Sequence, residues 1–197
     1  TILTLLIPSM LTGQTIDHFA DSTARWNVAN TESVSTPDPP PINRQKVETM
    51  NYGFRGDTVI NGKQWLKMVA TKDTAFSKNL KPQGYIRSQG PVVLYQGLEV
   101  SKKPDTLYDF SLEVGDSIQY RFPKAPVESR KTRTVEVKQV DSVRVNGEFH
   151  KRIMGGQMGA PLATRLKPVW IEGIGSIHGP LFPREATVFS EGLPEPL

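Results

Sequence analysis

Residues 132–153 read TRTVEVKQVDSVRVNGEFHKRI, and the alternation in this stretch decides the fold. Val135 and Val137 recur at every second position, Val143 and Val145 resume the pattern, and Asn146-Gly147 interrupts it before Phe149 to Ile153. A period of two is that of an extended strand whose alternate side chains share a face. Asn-Gly tolerates positive φ at both central positions of a two-residue type I′ turn, so the stretch predicts a hairpin. That turn sets Val140 opposite Ile153 and Asp141 opposite Arg152, an opposite-charge cross-strand pair. Val135, Val137, Val143 and Val145 are expected on one face; Val140 breaks their parity, and a bulge near Gln139 to Asp141 accounts for it.

Working outward, the same grammar recurs. Met50, Tyr52 and Phe54 alternate with polar residues, Gly56-Asp57 is expected to turn the chain into Val59-Ile60, and Asn61-Gly62 returns it through Lys63 to Val69. The two Asn-Gly segments differ by one residue in length, which would invert the faces, so they are recurrent hairpin chemistry and not a repeat. Tyr85 to Arg87 and Val92 to Tyr95 flank a Gln89-Gly90-Pro91 turn. Tyr108, Phe110, Leu112 and Val114 share one face, and Ile118, Tyr120 and Phe122 resume it after Gly115-Asp116-Ser117. A three-residue loop at that tip would pair Val114 with Ile118, Leu112 with Tyr120 and Phe110 with Phe122. Trp170-Ile171 and Ala186 to Phe189 supply the last strands. No window of about ten residues makes a capped amphipathic helix. The fold class predicted is all-β: an antiparallel, hairpin-rich barrel or sandwich with little helix.

The first residues, Thr1 to Leu11, form an uncharged apolar run of the length of a signal-peptide core and too short to span a bilayer. Residues 1–14 are therefore read as a truncated secretory signal, 15–46 as an extended polar segment containing the stiff Pro37-Asp38-Pro39-Pro40-Pro41 spacer, and 47–197 as one β domain, truncated at its C-terminus. No later segment is apolar enough to cross a membrane as a helix. The chain has no cysteine, which removes disulfides, thiolate metal sites and thiol nucleophiles together. Its formal charge of +4 is spread along the sequence, a poor match to a nucleic-acid binder.

Candidate chemistry is sparse. Arg55-Gly56-Asp57 spells an integrin-type tripeptide but reads as a strand connection. Gly173-Ile174-Gly175-Ser176-Ile177-His178-Gly179 fails both G-x-G-x-x-G and G-x-S-x-G, so its glycines are read as sharp bends at a sheet corner. His18, His150 and His178 lack ligand spacing, and no metal or cofactor is predicted. Trp65, Tyr85, Tyr95, Tyr108, Tyr120 and Trp170 could line a cavity, although aromatics in strands are usually core. No catalytic, cofactor-binding or metal residues are assigned.

Four segments carry a resemblance: Tyr52 to Lys63, Leu107 to Asp116, Asp141 to Arg152, and Trp170 to Ser176. In this order they resemble a group of uncharacterised secreted bacterial proteins that often carry a C-terminal sorting domain for the type nine secretion system. The resemblance spans roughly residues 45 to 182. It implies export and surface attachment, with the sorting domain lying beyond Leu197, and it carries over no catalytic residues. The Gly-rich stretch from Met154 to Lys167 departs from the pattern, which has a shorter turn there. The expected function is a non-catalytic secreted or cell-surface β module with an unknown extracellular ligand. Two rivals are an extracellular hydrolase with loop-borne acid and base among Asp109, Asp116 and His178, and a lipocalin-like carrier of a small ligand.

Overall fold

Both Asn-Gly pairs turn the chain as their chemistry demands: φ is +51° and +71° at Asn61 and Gly62, and +49° and +94° at Asn146 and Gly147. A computed structural model of the chain describes residues 19–35, 43–100, 103–120, 133–157 and 168–181. The apolar leader, the Pro37 to Pro41 spacer, Phe122, most of the Gly-rich stretch after Met154 and the Ala186 to Phe189 strand lie outside the described residues.

Among the described residues there is no helix, only strands and their connections. They are β1 (Arg25–Ser35), β2 (Asn43–Ile60), β3 (Lys63–Thr71), β4 (Lys81–Gln89), β5 (Val92–Gln96), β6 (Asp105–Asp109), β7 (Ser117–Tyr120), β8 (Arg133–Val145), β9 (Glu148–Gln157), β10 (Val169–Ile171) and β11 (Gly175–Ser176). One sheet has the order β1-β2-β3-β4-β5-β6 and the other β11-β10-β9-β8-β7, with every pairing antiparallel. Within each sheet every strand thus lies beside its sequence neighbour, and the two sheets curl into half-barrels. Strand pairing begins before Val47, because β1 and the start of β2 take in Arg25 to Ser35 and Asn43 onward.

The β8–β9 hairpin has the predicted register, Val140 facing Ile153 and Asp141 facing Arg152. Its bulge sits one residue earlier than expected: Val137 faces Gly155 and Gln139 faces Met154, leaving Lys138 as the extra residue. The slip brings Val140 to the core face shared by Val135 and Val137, whereas Val143 and Val145 fall on the other face. This corrects the grouping of the four valines.

Two connections also differ from expectation. Gly56-Asp57 does not end a strand; Phe54 faces Met68 and Asp57 faces Leu66, so Arg55 and Gly56 form a bulge within a continuous β2, with Gly56 at φ +71°. Nor do β6 and β7 form a hairpin. β6 pairs with β5 and β7 with β8, so residues 110–116 cross from one sheet to the other. The cause is local. Ser111 N and Oγ both donate to Asp109 Oδ1, at 2.9 and 2.5 Å, and this Asx turn ends the strand. Glu113 N donates to Asp116 Oδ2 at 2.8 Å, and Asp116 N returns to Glu113 O at 3.0 Å. Gly115 N and Val137 N then tie the crossover to β8. Phe110 and Leu112 still reach the core, whereas Val114 is 62% exposed.

The interior is one apolar cluster shared by both sheets. Tyr52, Phe54, Met68, Ile86, Val93, Leu107 and Tyr108 come from the six-stranded sheet and Val135, Val137, Ile153 and Trp170 from the other. Tyr108 stands at its centre, 5.2 Å from Phe19, 5.8 Å from Phe110 and 5.9 Å from Trp170 between ring centres.

Candidate functional site

Asp21 opens the first strand. Its Oδ1 accepts from Thr23 N at 2.7 Å and Thr23 Oγ1 at 2.8 Å, and Ala24 N donates to Asp21 O at 2.9 Å. This turn delivers Arg25 and Trp26 to the first positions of β1, where alternation sends their side chains to opposite faces. Trp26 goes inward, 5.1 Å from the Phe19 ring and 5.7 Å from Phe54. Its Nε1 donates to Ile174 O at 2.9 Å, which joins the first sheet to the turn between β10 and β11. That turn is closed by Ile174 N donating to Ile171 O at 3.0 Å. Between it and the start of β1 lies a shallow cleft of about 390 Å³, lined by Asp21, Ala24, Arg25, Trp26, Gly173 and Ile174.

Arg25 forms the cationic rim of this cleft. Its guanidinium carbon lies 4.5 Å from the Phe76 ring centre, and Nη1 donates to Ala24 O at 2.7 Å and Ser22 O at 3.3 Å. Arg55 approaches the same ring at 5.7 Å and its Nη2 donates to Phe76 O at 2.7 Å. Gly53 makes the stack possible, since a Cβ there would fall 2.6 Å from Arg25 Cδ and 2.9 Å from Phe76 Cζ. Phe76 itself is held at φ +52°, an uncommon conformation for a bulky residue. The hub of its loop is Asp73, whose carboxylate accepts from Ala75 N, Ser77 N, Ser77 Oγ and Lys78 N. Those bonds, led by the one from Ser77 N, hold its carboxyl well below the usual range, at about 2.

The glycines of the 173–179 stretch serve the same seam. Gly175, at φ +91°, stands where a Cβ would meet Phe19 Cε2 at 2.5 Å and Tyr108 Cε2 at 3.0 Å. The close approach is by aromatic rings rather than by backbone. Tyr108 is buried, donates to Pro180 O at 2.9 Å and accepts from Ser176 N at 3.1 Å. Burial pushes its phenol far up, so it remains a neutral structural donor.

The acid and base candidates are dispersed. Asp109 Oδ1 closes the turn after β6 and Asp116 Oδ2 the turn before β7, at opposite ends of the crossover between the sheets. His178 follows β11, where its backbone N donates to Ser176 Oγ at 3.1 Å. Tyr108, beside Asp109, points into the core toward residues 176–180, so strand alternation aims Asp109 away from them. His150 is buried, with Nδ1 donating to Glu172 O at 3.0 Å. His18 lies outside the described residues. Among the described residues, no group of three or more histidine or carboxylate side chains is placed to hold a metal ion.

The Arg55-Gly56-Asp57 triplet lies in the β2 bulge with Arg55 tied to the Phe76 loop and Asp57 accepting from Gln64 Nε2. Neither charged group projects from a loop tip. Trp65, Tyr95, Tyr108 and Trp170 are buried, and Tyr85 is partly exposed. The cleft residues Asp21, Arg25 and Trp26 sit in a stretch whose apolar signal is thin, one tryptophan followed two residues later by Val28. That spacing of two is the one trace of a strand there. No helix among the described residues is long and apolar enough to cross a membrane. Compared with protein-family models, curated proteins and solved structures, the chain matches none.

Proposed function

We propose that the chain is a non-catalytic, exported β module that holds an extracellular ligand at the cleft between β1 and the β10–β11 turn. The observation that carries this is the cleft's lining, Trp26 and Ile174 together with Arg25, whose donated bonds among the described residues leave from one nitrogen, while Asp21 is engaged by Thr23 N and Oγ1. A guanidinium has five N–H donors, and the Phe76 stack holds Arg25 in place. Such a surface favours a flat apolar group bearing a negative charge. The dispersal of Asp109, Asp116 and His178, two of them closing turns with their carboxylates, further supports binding over hydrolysis.

Fractionation of cells making the full-length protein tests export, with the protein expected outside the inner membrane and open to added protease. Titration of the ¹⁵N-labelled protein with simple aromatic carboxylates tests the cleft. Shifts are expected at Trp26 Nε1, Gly173 and Ile174, and Arg25→Ala should abolish them. Shifts centred on Asp109, or turnover of ester or glycoside substrates lost in Asp109→Asn, would favour the hydrolase instead.

A further inference from the structure

β1 and β2 run on past the sheet they belong to. β3 ends where Thr71 faces Asn51, yet residues 28–35 of β1 continue to face 43–50 of β2 in unbroken register. Among the described residues this overhang has no third strand on either side. A two-stranded ribbon is marginal in water, and no described strand takes up the backbone donors and acceptors along its outer edges. The overhang is therefore an edge open to a further strand.

The sequence along β2 says which strand. Two identical strands pair antiparallel about a twofold axis perpendicular to the sheet, which requires one residue to face its own copy. Centring that axis on Val47 sets Lys46 opposite Glu48 of the second copy, Glu48 opposite Lys46, and Gln45 opposite Thr49. Moving the centre by one residue sets Lys46 against Lys46 or Glu48 against Glu48, both repulsive. One register is thus self-complementary in charge. Val47, at its centre, is 61% exposed. Lys72 engages Glu48 through Oε1, which leaves the other carboxylate oxygen for a second lysine.

We propose that the outer edge of β2 around Val47 is a self-association edge, on which a second copy of this chain adds its own β2 antiparallel. The contact joins two six-stranded sheets into one continuous sheet and leaves the cleft at Arg25 and Trp26 open on each copy.

The absence of cysteine makes the test direct. In Val47→Cys the two introduced thiols face each other across the axis at the spacing of a directly opposed cross-strand pair, within reach of a disulfide. Mild oxidation should give a reductant-sensitive dimer. Val59→Cys, at a site 70% exposed on the same strand, should stay at background. Lys46→Glu should weaken the wild-type dimer by about tenfold in sedimentation equilibrium, and the swap Lys46→Glu with Glu48→Lys should restore it. A wild-type chain that stays monomeric, equal cross-linking by Val59→Cys, or a swap that fails to rescue would overturn the proposal. So would cross-linking by Ala29→Cys in place of Val47→Cys, since that moves the contact to β1.

Discussion

Asp73 shows how one side chain can stand in for regular structure. The loop from Lys72 to Leu80 pairs with no strand, and Phe76 and Asn79 both take positive φ, at +52° and +51°. Three of its backbone donors, Ala75 N, Ser77 N and Lys78 N, are answered instead by one carboxylate, which is why that carboxyl titrates at about 2 rather than at the ordinary 3.8. A depressed folded-state pKa means the stabilisation is fully present above the unfolded value of 3.8 and is lost as pH falls toward about 2. Asp73→Asn should therefore melt lower than wild type at neutral pH, and the two melting curves should converge near pH 2. Thermal melts across that range check it; parallel curves would mean the carboxylate does not hold the loop. In the core, Tyr108 raises the opposite case of a hydroxyl whose partners are themselves buried backbone. Tyr108→Phe keeps the ring stacked on Phe110 and edge-to-face with Trp170 but strands Ser176 N and Pro180 O, and should cost about 1–3 kcal/mol in urea denaturation.

At the scale of strands, the β8–β9 hairpin was legible because its information is local. Asn146-Gly147 admits one tight turn, and counting outward from it fixes Val140 against Ile153 and Asp141 against Arg152. The alternation through Tyr108, Phe110 and Leu112 was equally legible as a buried face, but not as a hairpin. There the carboxylates of Asp109 and Asp116 satisfy backbone N–H groups themselves, and a pattern of apolar residues carries no record of that competition. β1 and the cleft it shapes were illegible for a further reason: Trp26 gains its partner from Ile174, 148 residues away, and nothing near it in sequence announces the pairing. The bulge at Lys138 tests how tightly faces are set. Deleting Lys138 leaves Val137 facing Gly155, Gln139 facing Met154 and Val140 facing Ile153 in an unbroken ladder, so Val135, Val137 and Val140 keep their shared core face. The deletion should therefore cost less than the roughly 1.5 kcal/mol of one buried valine and leave near-ultraviolet circular dichroism unchanged; a loss of about 3 kcal/mol would show that the bulge itself shapes the core.

Across the whole molecule, two sheets built from neighbouring strands have little to hold them together except what lies between them. Among the described residues the chain passes from one to the other at residues 110–116, with Gly115 and Asp116 bonded to Val137. At the start of β1 the junction is made by side chains: Phe19 and Trp26 pack together, Gly175 leaves room for Phe19, and Trp26 Nε1 reaches Ile174 O. The cleft lies on this junction, so the geometry of the proposed ligand site depends on how firmly it is closed. Trp26→Phe retains an aromatic ring beside Phe19 and Phe54 but removes the donor, leaving Ile174 O to water. The net loss should be about 1 kcal/mol, confined to the junction, because each half-barrel keeps its own hydrogen-bond ladders. Hydrogen exchange separates this local effect from a general loss of stability. Amides of residues 173–176 and of the first positions of β1 should exchange about fivefold to tenfold faster, while those of β3, β4 and β5 keep their rates. Uniform acceleration over both sheets would show that the junction opens only when everything opens, and the cleft would then be as rigid as the core beneath it.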